Sequence, residues 1–132
     1  MICLDSSFII DILKKKPEAI ETFNKIKPDF PITTLINIYE LVSGIYRLKD
    51  KNSEQHIKVL EIFFEEVKIF TLTNNSTFEA AKISAELSSQ GQVIEDLDIL
   101  VAGICLSNGC TKIVTKNIKH FSRIKDLKVE TY

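Results

Sequence analysis

Short unbroken apolar runs alternate with longer stretches of helical periodicity along this chain. Ile2-Cys3-Leu4 is the first such run, the pattern of a strand buried on both faces. It breaks at Asp5-Ser6-Ser7, after which Phe8, Ile9, Ile12 and Leu13 recur at helical spacing until Lys14-Lys15-Lys16-Pro17 stops them. The spacing then predicts a weaker helix over 17–27 and a strand, Phe30-Pro31-Ile32-Thr33. Next comes a helix capped by Thr33 or Thr34, with Leu35, Ile36, Ile38, Tyr39, Leu41, Val42 and Ile45 as its apolar positions. A polar linker, 49–53, precedes a helix over 54–66 and a strand over 67–72. Asn74 or Ser76 is expected to cap a helix that packs through Phe78, Ala81, Ile83, Ala85 and Leu87, and 88–92 is the loop containing Gly91. Residues 94–106 read as a core helix stopped by Asn108-Gly109, 111–114 as a buried strand and 127–131 as a last strand. Such alternation implies an α/β protein, one domain over 1–132, with a parallel sheet covered on both faces.

Three acids stand out against this pattern. Asp98 is the only charged side chain between Leu97 and Thr111, and a carboxylate on a helix apolar nearly all round is costly unless a cation or hydrogen-bond donors compensate it. Its neighbours Glu95 and Asp96 favour a bound cation over a simple ion pair. The plainer reading places Asp98 in the first helical turn, where negative charge suits the helix dipole. Asp5 ends a strand just before a helix, the place where ligands gather in α/β folds, although a helix N-cap is a common post for Asp. Glu40 is the sole acid between Thr33 and Arg47; its plainer reading is a solvated residue beside Asn37 and Ser43. If right-handed crossovers bring these positions to one sheet edge, three carboxylates meet in a cleft. A hard divalent cation such as Mg²⁺ or Mn²⁺, which accepts oxygen ligands and water, would relieve their repulsion.

Composition narrows the partners. The 132 residues carry 17 Lys+Arg against 18 Asp+Glu, a net charge of −1, so no whole-molecule field draws the protein to nucleic acid or membrane. Any polyanion must be met locally. Lys112, Lys116, Lys119, Arg123, Lys125 and Lys128 face only Asp126 in their stretch, which is either an RNA-binding patch or a solvated lysine-rich surface; Lys14, Lys15 and Lys16 extend it if the first helix lies alongside. Cys3, Cys105 and Cys110 lack metal-binding or disulfide spacing and read as buried hydrophobes. His56 is expected at the surface. The start of the chain leaves no room for a signal peptide and no apolar run is long enough for a membrane span, so a cytoplasmic protein is expected.

At Leu4-Asp5-Ser6-Ser7, Tyr39-Glu40-Leu41, Gly91, Ile94, Asp98-Ile99-Leu100-Val101-Ala102 and Val114-Thr115-Lys116-Asn117-Ile118-Lys119-His120-Phe121-Ser122-Arg123-Ile124 the chain resembles the PIN domain family, and within it the VapC-type toxins of toxin–antitoxin pairs. The order and spacing of these segments run through the whole chain. The resemblance implies a three-layer α/β/α fold and a Mg²⁺- or Mn²⁺-dependent endoribonuclease. It also implies a homodimer and a small cognate antitoxin that blocks the acidic cleft. Its acids carry over to Asp5, Glu40 and Asp98. The family's variable fourth acid falls in the 115–121 loop, where Asn117 and His120 stand instead, so a second metal ion would need oxygens from Asp96 or the RNA.

On that reading Asp5 and Asp98 bind the ion directly, and Glu40 binds it through water or orients the attacking water. Ser6, Thr115 and Asn117 hold the acids or the scissile phosphate, His120 caps its turn or donates to phosphate, and Lys116, Lys119 and Arg123 meet the RNA backbone. The competing reading is a non-catalytic PIN-like module that binds RNA or protein. Aspartyl-phosphate chemistry fits less well: position 7 is Ser7 where dehalogenase-like enzymes need a second Asp, and no acidic pair flanks the first strand as receivers require.

Overall fold

The computed structural model describes residues 1–49 and 51–132, so the 49–53 linker lies partly outside the described residues. Its strands are β1 (Ile2–Leu4), β2 (Pro31–Thr34), β3 (Lys68–Phe70), β4 (Lys112–Val114) and β5 (Lys128–Glu130). They form one parallel sheet in the order β3-β2-β1-β4-β5. The helices are α1 (Ser6–Leu13), α2 (Pro17–Ile26), α3 (Leu35–Arg47), α4 (Ser53–Phe64), α5 (Asn74–Ser89), α6 (Asp96–Ser107) and the short α7 (Ile118–Phe121).

Period-two alternation along the strands divides the core into two halves. Ile2, Leu4 and Val114 join Phe8, Ile9, Ala19, Phe23, Leu41 and Leu60, so α1 to α4 cover one face of the sheet. Cys3, Ile32 and Ile113 point the other way, against Ile83, Leu87, Val101, Cys105 and Phe121 of α5, α6 and α7. This is the expected α/β/α sandwich, with α7 an addition that a four-residue segment is too short to announce by periodicity.

Several expected details shift. Thr73, rather than Asn74 or Ser76, caps α5: its hydroxyl accepts from the Ser76 backbone, while Ser76 Oγ accepts from the Thr73 backbone in a reciprocal box. The buried stripe of α5 is therefore Ser76, Ala80, Ile83 and Leu87, and Phe78, Ala81 and Ala85 face outward. Small residues on that stripe matter because α6 lies very close. A Cβ at Gly103 would stand 2.7 Å from both the Ala80 Cβ and the Ser76 carbonyl oxygen.

Helix α6 ends as Asn108-Gly109 suggested. Gly109 is left-handed at φ +74°, the Cys110 N–H bonds the Cys105 carbonyl at 2.9 Å and the Gly109 N–H bonds Leu106 at 3.0 Å, which is the Schellman pattern. Cys105 and Cys110 supply its usual apolar contact, and Cys3 is buried with them; all three are free thiols. A hollow of about 600 Å³ lined by Met1, Phe23, Lys27, Phe30 and Glu66 opens at the amino-terminal edge of the sheet. No helix among the described residues is long and apolar enough to cross a membrane.

Candidate active site

The opposite, carboxyl-terminal edge holds the predicted acids. Asp5 follows β1 directly: its N–H extends the ladder to the Val114 carbonyl at 3.1 Å, and its own carbonyl accepts from the Phe8 and Ile9 N–H groups at 3.0 Å each. Asp5 thus occupies the N-cap position of α1, but its side chain makes no capping bond. The backbone performs that task and leaves the carboxylate for other donors. Thr115 Oγ1 donates to Oδ2 at 2.6 Å, Ser7 Oγ donates to the same oxygen at 2.8 Å, and Asn37 Nδ2 donates to Oδ1 at 3.1 Å.

Asn37 explains how α3 is tied in. The plainer reading of Glu40 puts Asn37 on a solvated face, whereas it is fully buried. Its carbonyl oxygen accepts from the N–H and hydroxyl of Thr34, the N-cap of α3, and its amide reaches both Asp5 and Ser6 Oγ. Ser6 Oγ in turn donates to Glu40 Oε2 at 2.5 Å. Glu40 sits one turn after Asn37 and is half-buried, not freely solvated. Its carboxyl is raised above the ordinary 4.5, first by burial and then by the charges of Asp5 and Asp98, while Ser6 opposes the shift.

Asp98 lies in the first turn of α6, so the dipole reading holds, and its side chain is only 10% exposed. The Nδ1 of His120 lies 2.5 Å from its Oδ2 and the Asn117 amide donates to the same oxygen at 2.9 Å. Burial raises its carboxyl above the ordinary 3.8; His120 opposes this, and the charges of Asp5 and Glu95 reinforce it. His120 therefore faces an acid, where sequence reasoning had set it at a turn cap or a phosphate. Its ring is too far from Asp98 in the chain, 22 residues, for local pattern to have paired them.

Asp5, Glu40 and Asp98 come from three elements and each of the two raised acids responds to the charge of Asp5. Their direct partners are hydroxyls, amides and one imidazole; among the described residues none is ion-paired to Lys or Arg. An all-carboxylate donor set that no Lys or Arg neutralises suits a hard divalent ion. The acids are not gathered into one compact shell: among the described residues no group of three or more His, Cys, Asp or Glu is arranged to enclose a metal. The donor chemistry fits such an ion with water completing its shell.

The remaining expected residues scatter. Asp96 is exposed at the start of α6, and His56 is exposed on α4. Lys119 is exposed, Arg123 donates to the Val93 carbonyl at 3.2 Å, and Lys128 pairs with Glu130. Lys116 turns back onto Asp11, an acid of α1 that no local pattern singles out. Ser7 and Asn37 were missed as site residues too; a serine two positions after a strand-end Asp was the available signal for Ser7.

A family model for the PIN domain matches residues 2–127. Ribonuclease VapC1 of Haemophilus influenzae (strain R2866) is 30% identical over 126 residues, spanning 94% of this chain and 92% of that protein. The tRNA(fMet)-specific endonuclease VapC of Salmonella typhimurium is 29% identical over 130 residues, spanning 98% and 96%. Among solved structures, VapBC2 from Rickettsia felis bound to a DNA fragment from its promoter superposes with a TM-score of 0.88 at 27% identity, over 100% of this chain and 99% of that one. DNA-bound VapBC from Salmonella typhimurium gives 0.85 at 25% identity, over 98% and 96%.

Proposed function

The chain belongs to the PIN domain family, and from that premise we propose that it is a Mg²⁺- or Mn²⁺-dependent endoribonuclease, the toxin of a VapBC-type pair. The observation that carries the reading is the set of carboxylates at the sheet edge: Asp5, Glu40 and Asp98 interact through their charges yet have only neutral donors and His120 beside them. The names of similar proteins, ribonuclease VapC1 and tRNA(fMet)-specific endonuclease VapC, support the same chemistry.

Asp5 and Asp98 would hold the ion, with Glu40 reaching it through water. When bound, the ion polarises a phosphodiester and lowers the pKa of water. Glu40, with its raised carboxyl, orients the attacking water and takes its proton. Thr115, Ser7 and Asn37 fix Asp5; Asn117 and His120 fix Asp98; Ser6 fixes Glu40. Lys119, exposed on α7, together with Lys116 and Arg123 meets RNA phosphates. No acid stands in the 115–121 loop, which favours one ion over two.

The partners follow the same reading. A small antitoxin partner is supported by the VapBC assemblies among the similar structures, and on this reading it covers the acidic edge. Leu35, Tyr39 and Tyr46 form an exposed apolar stripe on α3 suited to a homodimer contact. The test is cleavage of total cellular RNA by the purified chain with Mg²⁺, with Mn²⁺ and with EDTA. Cuts at defined sites that EDTA abolishes are expected; metal-independent RNA binding with no cleavage would favour the non-catalytic module.

A further inference from the structure

Asp11 is as buried as the proposed metal ligands, at 3% exposure, and the chemistry above does not use it. Its Oδ1 pairs with Lys16 at 2.7 Å; its Oδ2 pairs with Lys116 and accepts from the Tyr132 hydroxyl at 2.9 Å. Lys16 belongs to the α1–α2 turn, only five positions away in sequence. Lys116 is different, because it comes from the loop after β4 that carries Thr115 and Asn117 on either side of it.

That loop is where two of the three acids are held. Thr115 donates to Asp5, and Asn117 donates to Asp98. The Lys116 N–H donates to Ser7 Oγ at 3.0 Å, and Ser7 donates to Asp5. The Asn117 N–H closes onto Thr115 Oγ1 at 2.9 Å. Residues 115–117 therefore touch the site through neutral donors alone, and a charged tether fastens them to α1. Tyr132 backs that tether, its ring edge-on to Phe8 at 4.6 Å and beneath the Lys116 ammonium at 5.6 Å.

We infer that Asp11 is a positioning residue for the metal site: through Lys116 it clamps the 115–117 loop against α1 and so holds Asp5 and Asp98 in register with each other. The inference rests on the metal-nuclease reading for its purpose, while the clamp itself is a statement about the loop. Groups that orient metal ligands from behind commonly change metal affinity by about 10–100-fold when removed. Lys16 provides the internal control: it pairs with the same carboxylate and interacts with Lys116, but among the described residues no hydrogen bond joins it to the 115–117 backbone, Asp5 or Asp98.

The experiment compares the parent with Asp11→Asn and Lys16→Met, below their melting temperatures. Hydrogen exchange at the Lys116 and Asn117 amides reads the clamp without reference to function, and loss of the free Mn²⁺ electron-paramagnetic signal reads metal affinity. Asp11→Asn should speed exchange at both amides and weaken Mn²⁺ binding by about tenfold, with Lys16→Met like the parent in both. If Asp11→Asn does not fold, Asp11→Asn/Lys116→Met leaves no unpaired buried charge and carries the same two expectations. Unchanged exchange overturns the clamp, as does an equal change in Lys16→Met. Faster exchange with unaltered Mn²⁺ affinity overturns the positioning role. A parent that binds no Mn²⁺ sinks the metal reading instead, and exchange alone then decides whether Asp11 anchors the loop.

Discussion

Two buried carboxylates six positions apart, one at the N-cap of α1 and one within it, are treated in opposite ways. Asp11 is surrounded by two ammonium groups and a phenol, and its carboxyl is held well below the usual carboxylate range, against the upward pull of burial, by hydrogen bonds from Lys116, Lys16 and Tyr132. Asp5 receives only hydroxyls and an amide, and its companions Glu40 and Asp98 are pushed up by burial and by the charge of Asp5. The chain thus neutralises one acid internally and leaves the others short of positive charge. The lesson is that burial alone does not mark a catalytic acid; the nature of its partners does. An acid satisfied by lysines serves the fold, and an acid satisfied by neutral donors keeps its charge for something brought from outside.

The contrast breaks most sharply at Asp98. Asp98→Asn removes charge and almost no volume, so circular dichroism should be unchanged while RNA cleavage falls by more than the roughly 100-fold typical of losing a supporting group. Asp11→Asn in the same cleavage assay should fall well short of that loss. Equal activity in Asp98→Asn and the parent would remove this residue from the chemistry.

A smaller, signed effect appears in stability against pH. Glu40 and Asp98 have folded pKa values above their ordinary 4.5 and 3.8, so the folded metal-free protein binds protons more readily than the unfolded chain. Their contribution is fully present below those ordinary values and is lost as pH rises through the folded ones. Asp11 runs the other way: its contribution is present above 3.8 and is lost as pH falls toward its depressed folded value. Urea unfolding from pH 7 to pH 3 should show metal-free stability climbing on mild acidification and then falling. Glu40→Gln should flatten the first limb and Asp11→Asn the second. Identical profiles in Glu40→Gln and the parent would contradict the assigned strain at the acidic edge.

The smallest effect concerns the cations. Lys119→Met should shallow the salt dependence of RNA binding by about one unit in log–log slope. Lys116→Met should do less, because part of its charge is already spent on Asp11. A slope unmoved by Lys119→Met, measured by fluorescence anisotropy across a salt series, would count against the patch.

Much of this could be read from the chain alone, and the reasons are local. Ile2-Cys3-Leu4 announced a doubly covered strand, and the strand's end located Asp5; an acid inside an apolar helix located Asp98. What escaped were polar residues whose roles depend on distant partners. Asn37 lies at a helix position that also suits a solvated amide, and only the crossing of α3 beside β1 turns it inward to Asp5, 32 residues away. Asp11 looks like an ordinary charge among isoleucines until Lys116, 105 positions later, folds back over it. Helical phase failed for part of α5 because apolar content drew attention to Phe78, Ala81 and Ala85, whereas the buried face, where Gly103 comes close, carries Ser76 and Ala80 beside Ile83 and Leu87.

The sulfur atoms have a practical consequence. Cys3, Cys105 and Cys110 are all fully buried, and each thiol is raised above its ordinary value, with burial raising all three while the contact with Cys105 lowers Cys3 and the contact with Cys110 lowers Cys105. Alkylating reagents therefore have nothing to attack while the molecule stays closed. Any carbamidomethyl group acquired records that the interior has opened, and the native protein carries its own chemical reporter of such openings without any engineered label.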